Sequence, residues 1–382
     1  MTEDHVLDWD PRDAAVLEDQ RAAYDDMRER CPIARSDFLG WSLFEHSDIM
    51  RVVSDPETFT SATRRLAIPN GMDPPAHTAH RRALTRYFSP ERMAAFEPRS
   101  RQLARARLEQ LGGRSEIEAV ESFVDPFAHQ ALCAFMGWPV EQWNRVSVWT
   151  HGNQEATFRQ DRGAGAVLAR EFATYVTHIL SARRAGGSTS DMMSDLIRTE
   201  VDGERLTDEQ IVSALRTWTA GHGTVAAALS IVIHYLAKHR DLQDRLRAEP
   251  ALLDHAIAEI LRTDGPLVAN NRTSARDVQI AGRAISTGER VSLMWIAADR
   301  DPRVFEDAER VDLDRPETDS LLYGAGIHRC LGEPLARLNL HAGVDQLLRH
   351  TIRFELAGSE VPARQVYPSN GLRSLWIKLA AA

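Results

Sequence analysis

The 382-residue sequence predicts a mainly α-helical fold with a small β region. Apolar residues recur at helical spacing through most of residues 91–200, and again from Thr207 to about His239. The alternation typical of strands is confined to two short regions, near residues 33–42 and 272–293. With 43% hydrophobic residues the chain can bury a large core, and its length allows one large domain or two ordinary ones.

The composition excludes several classes of protein. Three cysteines without a Cys-x-x-Cys pair do not make a disulfide framework, a zinc ribbon or an iron–sulfur site with clustered thiolates. A net charge of −9 argues against nucleic acid as a partner. The first ten residues lack the parts of a signal peptide, and the apolar stretch Val225–Ile233 is shorter than the ~20 residues that cross a bilayer. We therefore expect a soluble cytoplasmic protein without a membrane or nucleic-acid partner.

The first quarter of the chain predicts helices separated by a hairpin and a loop. Pro69, Gly71, Pro74 and Pro75 break any regular element between residues 60 and 76. The predicted elements are, in order, a helix over 11–31, a hairpin over 33–44, a helix near 47–53, the loop over 60–76, and a helix from Ala76 that ends before Ser89.

From about residue 91 to 200 one helix follows another. Glycines predict the breaks between these helices, at Gly112–Gly113, Gly137–Pro139, Gly163–Gly165 and Gly186–Gly187. The Gly163–Gly165 pair lacks the third glycine and the preceding strand of a dinucleotide-binding fingerprint. No NAD- or FAD-binding domain is therefore predicted.

The next helix is long enough to be the axis of the fold. Thr207-Asp-Glu-Gln210 is typical of a capping box, which starts a helix. At ~1.5 Å per residue, a helix from there to about His239 would be on the order of 45 Å long. Gly221 and Gly223 lie near its midpoint, where a glycine costs ~1 kcal/mol relative to alanine. They indicate that another group lies against the helix at this point.

Two more elements follow the long helix. A helix over about 252–263 carries Glu259 and Arg262 on one face, because residues three apart are neighbours on a helix. Residues 272–282 and 284–293 alternate apolar and polar positions and predict a hairpin.

Cys330 is the residue with the most specific surroundings. Gly324, Gly326 and Gly332 flank it, and Glu333-Pro334 begins a helical pattern immediately afterwards. A helix N-terminus stabilises a thiolate, and glycines let a flat, bulky group approach the backbone. A thiolate with room for a large planar partner is what a haem iron needs as an axial ligand. For Cys31 and Cys133 an ordinary buried thiol is the simpler interpretation.

The run Tyr323–Gly332 resembles the cysteine-ligand loop of the cytochrome P450 family, the haem-thiolate monooxygenases. The similarity extends over about residues 15–378. Three other motifs match the family in the same order, namely Asp73-Pro-Pro-Ala-His77 with Arg81, Ala220-Gly221 with Thr224, and Glu259 with Arg262 ahead of the Arg272 strand. Four separated motifs in the family's order make coincidence improbable.

The resemblance implies one cytochrome P450 domain over residues 1–382, with an N-terminal tail of about residues 1–14. Its fold would be the family's mainly helical prism with haem b between the Thr224 helix and the Cys330 loop. Cys330 would be the axial ligand of the haem iron, and Glu259 with Arg262 would lock the fold below the haem. The other residues that the resemblance assigns to the cofactor are His77, Arg81, Arg272 and His328 at the propionates, and Ala220, Gly221, Tyr323, Gly324 and Gly332 near the ring.

The long helix departs from the family at one position. Gly223 stands where the family usually has an aspartate or glutamate, a group that delivers protons to the bound oxygen. Thr224 would then position the proton-donating water. His222 either assists it or is a packed helix histidine, and the sequence leaves both open.

The resemblance also implies the substrate class and the partners. The enzyme would oxidise a small-to-medium hydrophobic or aromatic molecule with dioxygen and two electrons from an external ferredoxin or flavodoxin and its reductase. Our hypothesis is that Arg82, Arg86, Arg329 and Arg337 form a basic surface that binds that partner; the alternative is that they are ordinary surface arginines. The residues expected at the substrate are Leu66, Ala67, Ile68, Val268, Ala269, Asn270, Ser369 and Asn370.

Two alternatives stay open. The glycine at 223 is also compatible with peroxide-driven oxidation, or with a biosynthetic enzyme of this family that couples or closes rings. The second alternative is a haem sensor or carrier without catalysis, which leaves Thr224 and the helix glycines unexplained.

Overall fold

The structure, a computed structural model, describes residues 7–186, 191–358 and 362–381. The chain forms two compact units. The first consists of Met1–Thr63 and Ala258–Cys330, and the second of Arg64–Ile257 and Leu331–Ala382. The organisation as a single domain over residues 1–382 stays a prediction.

Helices account for most of the regular structure, as the sequence predicts. In chain order they are α1 (Ala14–Glu18), α2 (Gln20–Arg30), α3 (His46–Val53), α4 (Ala76–Thr85), α5 (Pro90–Glu109), α6 (Asp125–Met136), α7 (Trp143–Phe158), α8 (Arg162–Ala185), α9 (Met192–Ile197), α10 (Asp208–Lys238), α11 (Arg240–Ala248), α12 (Leu253–Thr263), α13 (Trp295–Ala298) and α14 (Glu333–His350).

The strands are short. They are β1 (Ile33–Ser36), β2 (Gly40–Leu43), β3 (Phe59–Thr60), β4 (Glu116–Glu118), β5 (Glu200–Val201), β6 (Glu204–Arg205), β7 (Ala269–Ser274), β8 (Val278–Ile280), β9 (Arg283–Ile285), β10 (Arg290–Met294), β11 (Thr351–Leu356) and β12 (Trp376–Ala381).

The first unit is built on a five-stranded sheet in the order β1-β2-β10-β7-β3. The predicted hairpin near residue 40 is confirmed as β1 and β2. The second predicted hairpin is more elaborate, because β7 pairs antiparallel with β10 while β8 and β9 form a separate hairpin between them. β10 also lies parallel to β2, so the N-terminal hairpin and the segment before the cysteine loop share one sheet.

The second unit surrounds α10, whose 31 residues confirm the predicted long helix. Thr207 and Gln210 cap it reciprocally: Gln210 N–H donates to Thr207 Oγ1 at 3.2 Å, and Thr207 N–H donates to Gln210 Oε1 at 2.9 Å. α10 packs against α6, α7, α8 and α14. By length and composition alone it would cross a membrane, but 72% of its most apolar stretch is buried within the protein, as in a core helix.

Two predicted helix boundaries are wrong. The helix expected over residues 11–31 is interrupted at Asp19, which caps α2 by accepting a hydrogen bond from Ala22 N–H at 3.2 Å. The break expected at Gly163–Gly165 falls earlier, because Asp161 caps α8 and draws both glycines into its first turn. Capping satisfies the free N–H groups of a helix start and so outweighs the cost of glycine there.

Parts of two predictions lie outside the described residues, namely residues 1–6 of the tail and Gly187. The rest of the tail is packed on the first unit. The Trp9 ring lies 5.2 Å from that of Phe44 and 6.1 Å from that of Tyr24, measured between centroids.

Candidate functional site

The cysteine loop of the first unit is closed by its own backbone. Cys330 N–H donates to the carbonyl oxygen of Tyr323 at 2.8 Å, and Arg329 N–H donates to that of Gly326 at 3.1 Å. Gly324 and Gly326 both have φ of +67°, a conformation that side chains disfavour. The Cys330 residue at the end of this loop is exposed.

Gly326 also fixes the loop against α3. A Cβ atom there would fall on the carbonyl oxygen of Val53, the last residue of α3. The glycine is therefore required by close packing as well as by its φ angle.

Trp295 connects the cysteine loop with the start of β7, and sequence reasoning missed it. Its backbone N–H donates to the carbonyl oxygen of Val268 at 3.1 Å, and its Nε1–H donates to Asn270 Oδ1 at 3.0 Å. The indole edge lies 4.0 Å from the position of a Cβ on Gly324. The predicted substrate residues Val268, Ala269 and Asn270 are thus held beside the cysteine loop in the same unit.

The predicted propionate contacts Arg272 and His328 also belong to this unit. Arg272 lies on β7 two residues after Asn270, so both side chains leave the same face of the strand. Its Nη1 donates to the carbonyl oxygen of Asn271 at 2.9 Å. His328 ends the 3₁₀ turn Gly326–His328 and is half-buried.

In the second unit, one face of α10, the open face, is only partly covered by the described residues. Thr217, Ala220 and Thr224 are half-buried and Gly221 is exposed, whereas the following turns of the helix are buried. These positions have the i, i+3, i+4, i+7 spacing of a single helix face. No atom of the described residues lies within 4 Å of a Cβ built on Gly221, outside the helix's own backbone. Thr224 Oγ1 donates to the carbonyl oxygen of Gly221 at 2.7 Å, at the C-terminal end of this open face.

Gly223 lies on a different face and is tightly packed. A Cβ atom there would be 2.6 Å from Thr150 Cγ2 and 3.0 Å from Gln154 Nε2, both on α7. The two glycines of α10 therefore have different roles: Gly221 leaves space beside the helix, and Gly223 allows α7 to approach it.

His222 points away from the open face and is buried. Its Nε2 donates to the carbonyl oxygen of Ala128 at 3.0 Å, which ties α10 to α6. Burial, with a smaller contribution from the nearby His129, lowers the pKa of His222 to about 3. The imidazole is therefore neutral near pH 7.

His77 and Arg81 share a face of α4, as the sequence predicts. His77 is buried and Arg81 half-buried. Burial lowers the pKa of His77, and the positive charge of Arg81 adds to the effect. His77 is therefore a neutral imidazole near pH 7, and its backbone N–H donates to the carbonyl oxygen of Asp73 at 2.9 Å.

The loop before α4 is bonded to α10. Ile68 N–H donates to Ser213 Oγ at 3.1 Å, and Ser213 Oγ donates to the carbonyl oxygen of Leu66 at 2.9 Å. Arg216 Nη2 donates to the same oxygen at 2.6 Å. Leu66, Ala67 and Ile68 are thus fixed on the N-terminal half of α10.

The turn at Ser369 and Asn370 reaches α10 from the C-terminal side. Both residues are buried, and a Cβ on Gly371 would lie 2.6 Å from Ala227 Cα, one turn after Thr224. The second unit therefore brings two predicted substrate segments onto α10, on either side of its open face.

Glu259 and Arg262 form a buried ion pair in the first unit, with side-chain exposures of 5% and 2%. Arg262 also donates to the backbone carbonyls of Asp299 and Ala308 at 2.7 and 2.8 Å. Arg315 Nε donates to Glu259 Oε1 at 2.9 Å, a third member that sequence reasoning missed. Arg315 is 56 residues from Glu259, so no local sequence pattern predicts this contact.

In the second unit, Arg82, Arg86 and Arg337 of the basic surface proposed for partner binding have local partners. Arg82 lies 3.6 Å from Asp202, Arg86 Nη2 donates to Thr199 Oγ1 at 2.7 Å, and Arg337 Nε donates to Glu333 Oε1 at 3.1 Å. Arg329 is exposed in the first unit.

Comparison with known proteins places this geometry in a family. The family model described as Cytochrome P450 matches residues 140–368. Cyclomarin C epoxidase CymV of Salinispora arenicola is 31% identical over 92% of this chain and 94% of its own length. Linalool 8-monooxygenase of Pseudomonas putida is 28% identical over 89% of both chains. The structure of P450 EryK from S. erythraea, at 24% identity, has the same fold with a TM-score of 0.88 over 95% of this chain and 96% of that one.

Proposed function

Because the chain belongs to the cytochrome P450 family and is therefore a haem-thiolate oxidoreductase, we propose that it is a monooxygenase of a small-to-medium hydrophobic or aromatic molecule. The cofactor is haem b. The reaction consumes dioxygen and two electrons from an external redox partner, and it hydroxylates the substrate or removes an alkyl group from its oxygen or nitrogen.

The observation that carries the proposal is the exposed Cys330 at the end of a loop held by its own backbone. A single sulfur ligand beside glycines suits a haem iron, and a thiolate ligand favours O–O cleavage. The open face of α10 at Gly221 leaves space of the kind that a haem ring and dioxygen need. When bound, the haem supplies the activation of dioxygen, and the protein supplies orientation and protons.

Four side chains are suited to the haem propionates. Arg81 and Arg272 carry guanidinium groups, which pair well with carboxylates. His77 and His328 offer imidazole N–H groups, and His77 is buried in α4 beside Arg81. Tyr323 and Gly324 begin the loop that ends at Cys330, and Gly332 follows two residues later. Ala220 precedes Gly221 on α10.

Substrate contact is assigned to the two segments bonded to α10 and to the segment before Arg272. The two segments on α10 are Leu66–Ile68 and Ser369–Asn370. The segment before Arg272 is Val268–Asn270. They combine apolar side chains with a few hydroxyl and amide groups, which suits a mainly hydrophobic ligand. One relative is named for linalool and another for cyclomarin C, so related sequences of similar identity differ in substrate.

The redox partner is an acidic ferredoxin or flavodoxin in the cytoplasm, with its reductase. Arg82, Arg86 and Arg329 are exposed and Arg337 is half-buried, and these arginines would exchange their local partners for the acidic protein. Binding through charges should weaken as the salt concentration rises. Reduction kinetics that do not depend on salt would contradict this surface.

The test begins with the purified protein. Its haem content and the spectrum of the reduced carbon monoxide adduct show whether the ligand is a thiolate. A screen for compounds that change the ferric spin state then identifies substrates, and turnover with dioxygen, ferredoxin and reductase identifies products. Thr224→Ala should lower the product formed per electron, because the hydroxyl positions the proton-donating water. An unchanged yield would remove Thr224 from this role.

The second candidate keeps the haem thiolate and changes the oxidant or the reaction. Gly223 favours it, because the acid that usually delivers protons is absent. The enzyme would use hydrogen peroxide, or would couple or close rings in a biosynthetic product. Faster turnover with hydrogen peroxide than with dioxygen and the redox partner would select the peroxide-driven form.

A further inference from the structure

The missing acid at position 223 raises the question of what stands in its place. The described atoms nearest to the Cβ position of Gly223 are Thr150 Cγ2 at 2.6 Å and Gln154 Nε2 at 3.0 Å. Thr150 turns its methyl group there because its hydroxyl donates to the carbonyl oxygen of Val146 at 2.9 Å. The Gln154 carboxamide is thus the nearest polar group to the position that an acidic side chain would start from.

Gln154 also lines a cavity at the surface of the second unit. The cavity has a volume of about 470 Å³. Its wall includes Asp125, His151 and Glu155, all of which can exchange protons with water. His151 is 46% exposed and its Nε2 lies 3.4 Å from Asp125 Oδ2. Gln154 therefore lines a cavity that carries titratable groups, and its amide also lies against α10.

Gly223, where Gln154 contacts α10, lies beside the open face of that helix. With 100° between successive residues, Gly223 is about 60° from Ala220 and about 100° from Thr224 around the helix axis. His222 is about 160° from Thr224, donates its Nε2–H to Ala128, and has a pKa lowered to about 3. It is therefore poorly placed to deliver protons to the open face, whereas Gln154 approaches that face from the side.

We propose that Gln154 is the positioning residue that replaces the missing acid, and that it holds water between the surface cavity and Thr224. This inference rests on the proposed monooxygenase function. In that reaction one substrate C–H bond, one dioxygen, two electrons and two protons give one hydroxylated product and one water. Both protons come from the solvent of the cavity. Gln154 gains and loses none, because its amide only accepts and donates hydrogen bonds to the water that transfers them.

The test uses the holoenzyme with dioxygen as the probe and a ferredoxin with its reductase as the electron source. Without an organic substrate, two electrons are consumed per dioxygen when hydrogen peroxide is released, and four when both oxygen atoms are reduced to water. In Gln154→Leu, we expect water formation to slow by about 10- to 100-fold and hydrogen peroxide to be released instead. The upper value is the smallest effect typical of a positioned proton donor. Asn153→Leu makes the same kind of change at the preceding position of α7. It should leave the ratio of electrons to dioxygen as in the wild type.

A rescue separates this role from a structural one. In Gln154→Leu/Thr150→Ser/Gly223→Asp, the serine keeps the hydroxyl bond to Val146 and removes the methyl group that blocks position 223. The aspartate then supplies the acid usual in the family, and water formation should recover. A variant that only damaged packing would not recover in this way.

A crystal structure of the holoenzyme gives a readout independent of turnover. It should contain an ordered water bonded to the Gln154 amide beside Gly223, and this water should be absent from Gln154→Leu. A wild type without this water, or an unchanged ratio of electrons to dioxygen in Gln154→Leu, overturns the inference and leaves the proposed function intact. A protein without a haem thiolate overturns both.

Discussion

The carboxylate of Glu259 accepts two hydrogen bonds from the guanidinium of Arg262, each 2.8 Å long, inside the first unit. Arg315 donates a further bond to the same carboxylate at 2.9 Å. The arginine side chains also donate to backbone carbonyls of residues 299, 306, 308 and 310. The cluster therefore holds the irregular segment that follows α13.

Glu259→Gln should destabilise the protein by about 3–5 kcal/mol, because the buried Arg262 and the half-buried Arg315 lose their carboxylate partner. The midpoint of urea unfolding, followed by circular dichroism, measures the loss. Glu109→Gln is the matched control, since Glu109 pairs with Arg105 at 2.7 Å but is 52% exposed. It should cost at most about 0.5 kcal/mol. Equal shifts in the two variants would contradict a structural role for the buried cluster.

Gly221→Ala and Gly223→Ala should change stability in opposite directions, although both lie in α10. The first should stabilise the haem-free protein by up to about 1 kcal/mol, because its Cβ enters open space and alanine favours a helix. The second should destabilise by about 1–3 kcal/mol, because its Cβ would lie 2.6 Å from Thr150 Cγ2. Urea unfolding of the two variants in parallel is the measurement. If both were stabilising, α7 would not pack closely on Gly223.

Cys330→Ser should remove the thiolate character of the reduced carbon monoxide adduct, or abolish haem binding, because the sulfur is the only proposed protein ligand of the iron. Absorption spectra of the purified variants test this. Cys133→Ser is the control: Cys133 is fully buried, and burial raises the pKa of its thiol to about 12, so it stays an uncharged thiol. A normal thiolate spectrum from Cys330→Ser would refute the proposed ligand.

His222→Gln should make the protein less sensitive to acid. The pKa of His222 is about 3 in the folded protein and about 6.5 in an unfolded chain, so below pH 6.5 only the unfolded state takes up the proton. The neutral His222 contributes its full share of the free energy of unfolding above pH 6.5, and this contribution is lost as the pH falls toward 3. Between pH 7 and 5 the wild type should lose about 2 kcal/mol more than His222→Gln, whose amide can still donate to Ala128.

Urea unfolding at pH 7 and pH 5 measures this difference. His178→Gln, at an exposed position of α8, should keep the acid sensitivity of the wild type. The same loss in wild type and His222→Gln would mean that the folded protein tolerates the charged imidazole.

The sequence determined the features that depend on neighbouring residues. The glycines around Cys330, the helix start at Glu333, and the capping box of Thr207 and Gln210 are local patterns, and they identified the family and its central helix. The pairing of Glu259 with Arg262 was equally readable, since residues three apart meet on a helix. The failed break at Gly163–Gly165 shows the limit of this approach, because one capping aspartate outweighed two glycines.

Only the tertiary structure decided which distant residues meet. It brought Arg315 to Glu259, Trp295 to Asn270, and Gln154 to Gly223, contacts between segments 25 to 69 residues apart in sequence. It also separated the roles of Gly221 and Gly223, which look alike in the sequence. The physical reason is packing: whether a position is open or filled depends on side chains from another helix, and no local pattern records their approach.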